Sequence, residues 1–161
     1  MVQADWLIQI LPSPPVDIAL YDRALTHGST GKPDYQRLEF LGDRILGLVI
    51  AEMLYHRFFD EAEGRLSHRL NALVSGTTCA EMARQIDLPP RLRLGKQARD
   101  DGAQQSDNVL GDVMEALIGA LYLEQGLEAA RSFIMGLWEP LVDTANGAPK
   151  HPKSALQEWC A

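Results

Sequence analysis

Gln36-Arg37-Leu38-Glu39-Phe40-Leu41-Gly42-Asp43 opens a segment that stays almost wholly apolar through Leu54. Two acids interrupt its beginning, Glu39 and Asp43, spaced four residues apart. On a helix of 3.6 residues per turn, that spacing is a rotation of about 40°, so both carboxylates lie on one face. A second segment repeats the oddity. Val109-Leu110-Gly111-Asp112-Val113-Met114-Glu115-Ala116-Leu117-Ile118-Gly119 carries Asp112 and Glu115, again on one helical face. An isolated carboxylate is expensive in apolar surroundings and needs a cation, a proton or a hydrogen-bond donor. One such pair reads most simply as solvent-facing acids of an amphipathic helix. Two pairs on two apolar helices predict four carboxylates that converge where the helices pack. All-oxygen ligation suits Mg²⁺ or Mn²⁺, and no Cys or His cluster points to zinc. Glycines at 42, 47, 111 and 119 add to the case, because a mid-helix glycine costs roughly 1 kcal/mol against alanine and close helix approach would justify it.

Working outward, helical periodicity dominates and no period-2 strand stands out, which predicts an all-α fold. Helices are expected over about 5–11, 17–27, 34–59, 67–86, 107–125 and 127–145, with an irregular stretch over 88–105. Ser106 or Asp107 caps the fifth of these and Gly126 ends it. The chain of 161 residues, 46% hydrophobic, is long enough for one buried core and too apolar for wholesale disorder. No apolar run approaches the roughly 20 residues of a membrane helix, and the beginning of the chain makes a poor signal peptide. Two cysteines far apart, Cys79 and Cys160, predict no disulfide framework and fit a reducing cytoplasm. The net charge of −7 argues against a nucleic-acid partner, but a bound cation would reverse the local field.

The wording of the acidic segments goes further. Arg37-Leu38-Glu39-Phe40-Leu41-Gly42-Asp43 resembles the signature of the ribonuclease III family. Asp112-Val113-Met114-Glu115-Ala116, continuing to Gly119-Ala120, resembles that family's second acidic helix. Leu25-Thr26-His27 and Glu63-Gly64-Arg65-Leu66-Ser67 resemble two shorter elements, in the same order along the chain. The resemblance implies an all-helical endonuclease domain over residues 1–146, forming a symmetric homodimer. It implies Mg²⁺-dependent hydrolysis of double-stranded RNA, with Mn²⁺ able to substitute, in rRNA and mRNA precursor processing. Water is the nucleophile, and the products carry 5′-phosphate and 3′-hydroxyl ends with short 3′ overhangs. Carried over residue by residue, the metal ligands are Glu39, Asp43, Asp112 and Glu115, with Asp43 and Glu115 as the catalytic pair. A non-catalytic RNA-binding dimer of the same fold is the alternative; retention of all four acids separates the two.

Other residues have paired readings. Glu63 is either an accessory acid near the cleavage centre or a helix-start residue facing the dipole. Asn108, one turn before Asp112, is either an accessory residue or a simple helix-start residue. Phe40 is a core aromatic or, with Leu41, part of the dimer interface that the resemblance implies. Arg65 and Arg69 are RNA contacts or solvated charges. His27, His56, His68 and His151 read as structural or surface residues. Gln36 stands where the family signature commonly opens with an acid, and Arg44 where a small residue is commonest. Residues 147–152 read as a linker, and residues 153–161 resemble the truncated start of a double-stranded-RNA-binding domain.

Overall fold

The computed structural model describes residues 2–144. Its helices are α1 (Val2–Ile10), α2 (Ile18–Ala24), α3 (Gln36–Arg57), α4 (Glu63–Leu73), α5 (Gly76–Gln85), α6 (Lys96–Asp100), α7 (Asp107–Gln125) and α8 (Leu127–Val142). Short 3₁₀ turns fill the connections at 28–30, 89–91 and 103–105. Among the described residues the one extended pairing is an isolated parallel bridge between Thr26 and Arg93. The expected linker, the tail, Cys160 and His151 lie outside the described residues.

The centre of the molecule is α7, which buries Leu110, Val113, Met114, Leu117, Ile118 and Leu121. Ser106 caps it, its Oγ accepting from the Val109 amide at 3.5 Å, and Gly126 ends it with φ +85°. On one flank runs α3, which buries Leu38, Ile45, Leu46, Val49, Ile50 and Leu54. The two helices touch backbone to backbone. A Cβ built on Gly42 would lie 1.7 Å from the Glu115 carbonyl oxygen, and one on Gly119 would lie 2.3 Å from that of Leu38. No side chain fits there, so these glycines set the separation of α3 and α7, and with it the separation of the acids. Gly47 departs from the expectation: a Cβ there meets nothing within 4 Å, so helix approach does not explain it.

The segment expected as one helix over 67–86 is two helices. The first begins earlier, at Glu63, and the chain turns at Ser75, whose backbone is extended and whose Oγ accepts from the Thr78 amide at 3.2 Å. The reason is packing on the other flank of α7. A Cβ on Gly111 would sit 2.8 Å from the Gly76 carbonyl oxygen, so the first turn of α5 is pressed against α7. A straight continuation of α4 would carry Cys79, Ala80, Met82 and Ala83 away from the core that buries them. Helix ends are tied by polar contacts. The Trp138 indole donates to Leu73 O at 2.8 Å, the Trp6 indole to Ile86 O at 2.6 Å, and the Tyr21 hydroxyl to Glu124 at 2.6 Å.

Candidate metal centre

Glu39 projects from the first turn of α3, and Asp112 and Glu115 project from the second and third turns of α7. The glycine contact brings these helices close enough that one carboxylate oxygen of each residue lies within 4.8 Å of the others. All three side chains are half-buried. Among the described residues no lysine or arginine forms an ion pair with them, and their own electrostatics record the cost. Burial is the largest cause raising each carboxyl above its ordinary value. Glu115 is pushed up to about 8, by burial and then by the charges of Asp43, Glu39 and Asp112, while its Cys79 contact pulls weakly the other way. Glu39 is raised by burial, then by Asp112, Asp43 and Asp34. Asp112 is raised by burial despite the Tyr35 hydrogen bond and the charge of His27, both of which lower it.

Asp43 stands beside the trio rather than within it. Its carboxylate is held by the guanidinium of Arg44, which also lies 5.4 Å from the centre of the Phe40 ring. Of the four acids expected to converge, three do; the fourth stands beside them, with its charge felt by Glu115 and Glu39. The donor set is oxygen only, and removing several protons from a crowded carboxylate group is what a divalent cation makes favourable. The residues present therefore fit Mg²⁺ or a similar hard cation.

Two residues touch the trio that the sequence reading did not single out. The Tyr35 hydroxyl donates to Asp112 Oδ2 at 3.4 Å, and the Cys79 thiol contacts Glu115 Oε1 at 3.9 Å. Both are buried, and burial holds the phenol and the thiol protonated, each well above its usual range. Tyr35 was findable: it precedes Glu39 by four residues, as Glu39 precedes Asp43, so all three share a helical face. Cys79 gave no such signal, because it reaches the centre from α5 through tertiary packing. The Nδ1 of His27 accepts from the Ser29 amide at 3.1 Å, and its ring tilts on Tyr35 at 5.9 Å.

The remaining candidates sit elsewhere. Glu63 lies in the first turn of α4, exposed, where it accepts the Ser67 hydroxyl at 2.5 Å. Asn108 is exposed near the start of α7. Arg69 corrects its expectation. It is neither solvated nor open to RNA: it is 6% exposed, donates to both oxygens of Glu61 at 2.7 Å, and stacks 3.9 Å from the centre of the Phe58 ring. Phe40 is 67% exposed, which removes the core reading. With Leu41 it lines an open groove shared with Leu20 and Leu123; Leu48 and Tyr55 of α3, and Phe59 just beyond its end, are exposed as well.

A family model described as Ribonuclease-III-like matches residues 17–140, a span holding all four acids. The chain belongs to the ribonuclease-III-like family. Its curated relatives include ribonuclease 3 of Zymomonas mobilis, 64% identical over 156 residues, which are 97% of this chain and 63% of that protein. Ribonuclease 3 of Rhodobacter capsulatus is 49% identical over 85% of this chain and 61% of its own length. The chain thus spans less than two thirds of the length of these ribonuclease III relatives. Among solved structures, the nuclease domain of ribonuclease III from Campylobacter jejuni superposes with a TM-score of 0.82 at 34% identity, covering 92% of this chain and all of that one. The segment over residues 37–43 lies within the matched span and supplies Glu39 to the trio and Gly42 to the helix contact, with Asp43 beside them. Among the described residues no helix is long and apolar enough to cross a membrane.

Proposed function

We propose that this chain is the nuclease part of a divalent-metal-dependent endoribonuclease that hydrolyses phosphodiester bonds of double-stranded RNA. The observation that carries the proposal is the convergence of Glu39, Asp112 and Glu115 within 4.8 Å, on helices locked by glycine contacts, in a chain of this family. These three would hold Mg²⁺, with Asp43 joining them by leaving Arg44; Mn²⁺ is expected to substitute. A divalent ion there supplies activation of water as the nucleophile and neutralisation of charge on the reacting phosphate. The protein's own contribution is to present a pre-built oxygen set and to exclude any competing lysine or arginine from it. Arg44, freed from Asp43, becomes available to a phosphate oxygen at the edge of the centre. The net charge of −7 is compatible with RNA on this reading, since a cation offsets the acidic face where the substrate approaches.

The active form is proposed to be a homodimer. Its support is the exposed Phe40 and the groove it shares with Leu41, together with a Campylobacter jejuni relative whose description names a region involved in dimer formation. Residues 1–146 form the nuclease unit, and Glu63 and Asn108 serve as accessory residues at the edge of the RNA path. The proposed compartment is the reducing cytoplasm, in keeping with two cysteines of which Cys79 is free and buried.

The test is a cleavage assay on a long RNA duplex at low salt. Mg²⁺ is expected to support cutting to 5′-phosphate ends, with chelator abolishing it. Cutting that persists in chelator, or no cutting with Mg²⁺ or Mn²⁺, contradicts the proposal.

A further inference from the structure

We propose that Tyr35 is a positioning residue of the metal centre described above, its phenol fixing the Asp112 carboxylate in the orientation that cation ligation requires. The hydroxyl donates to Asp112 Oδ2 at 3.4 Å. The residue has little freedom to do anything else. Its side chain is 6% exposed, its amide donates to Thr26 O at 3.1 Å, and its carbonyl accepts from the Glu39 amide at 2.9 Å. The ring rests against His27 at 5.9 Å. Tyr35 thus reaches both helices of the centre, Glu39 through the backbone and Asp112 through the phenol. It occupies the N-cap position of α3, where its side chain makes no capping bond.

The kind of donor matters. Arg44 holds Asp43 with a full positive charge, which competes with a metal for the same carboxylate. A phenol donates one hydrogen bond, carries no charge, and leaves the other carboxylate oxygen unobstructed. Groups that orient a metal-ligating carboxylate in this way typically account for 10–100-fold in metal affinity.

The experiment is calorimetric titration of Mn²⁺ into the native chain, Tyr35→Phe and Tyr35→Leu, with the metal-free melting temperature of each measured alongside. The Phe variant keeps the ring and loses only the hydroxyl. It is expected to bind Mn²⁺ about tenfold more weakly, with a metal-free melting temperature within about 2 °C of native. Tyr35→Leu is expected to melt lower yet bind no more weakly than Tyr35→Phe, because the hydroxyl is already gone in both. Native affinity in Tyr35→Phe, or affinity that falls only as the melting temperature falls, would overturn the assignment while leaving the metal centre standing. A native chain that binds no Mn²⁺ would overturn both.

Discussion

Two places in this molecule draw acids into partly buried positions, and they are handled in opposite ways. At the corner between α3 and α4, Glu61 meets Arg69, which donates two hydrogen bonds at 2.7 Å and covers the Phe58 ring. The Glu61 carboxyl is held below its ordinary value, first by that hydrogen bond. Between α3 and α7, Glu39, Asp112 and Glu115 gather with no arginine among them, and all three carboxyls are raised. The fold can compensate a sheltered carboxylate with an arginine and does so at the α3–α4 corner. On the function proposed above, the uncompensated cluster takes its missing charge from a cation outside the chain.

The largest effect expected from breaking this contrast is on catalysis. Glu115→Gln or Asp43→Asn should lower RNA cleavage by more than about 100-fold, beyond what loss of an orienting neighbour costs, while gel filtration of the variant remains native. Next comes the scaffold. Gly42→Ala drives a Cβ into the Glu115 carbonyl, which cannot yield as a flexible side chain would. It should destabilise the chain by about 3 kcal/mol in urea unfolding and abolish metal binding in the fraction that folds. Arg69→Met attacks the compensated corner instead. It should lower the melting temperature by about 5–10 °C and leave Mn²⁺ affinity unchanged, which calorimetry can check.

The smallest effect is the pH dependence, and its sign separates the two regions. Glu115 is raised from 4.5 to about 8, so the folded, metal-free chain binds more protons than the unfolded chain between those values. Its contribution to stability is present below about pH 4.5 and is lost as pH rises through about 8. Metal-free stability should accordingly decline across that window by on the order of 1–2 kcal/mol, discounted for partial exposure, and Glu115→Gln should flatten the decline. Glu61 acts with the opposite sign: its lowered carboxyl favours folding above the ordinary carboxylate range, and that contribution fades on acidification.

Much of this was legible in the residues. The i,i+4 and i,i+3 spacings of the acids gave the facing pairs, and Gly42 and Gly119 gave the approach that joins them. The wording of the segments carried the family. What was not legible depended on three-dimensional packing or on a contact between neighbouring side chains. The break at Ser75-Gly76 follows from how α5 must seat against Gly111. Arg69 reads as an ordinary surface charge until the chain turns at Phe58 and folds Glu61 back onto it. Asp43 sits on the predicted face, yet its neighbour Arg44 captures the carboxylate, a local choice that helical spacing does not encode. Gly47 shares the mid-helix placement of the packing glycines, yet nothing in the structure explains it.

The most direct test of the claim that the uncompensated acids await a divalent cation is thermal unfolding with and without Mg²⁺ at pH 8, on the native chain and on Glu115→Gln. Binding to the folded state raises the melting temperature according to affinity and concentration. The native chain should gain several degrees with millimolar Mg²⁺, while Glu115→Gln, already relieved of one charge, should gain almost nothing. An equal gain in both proteins, or none in the native chain, would contradict the account.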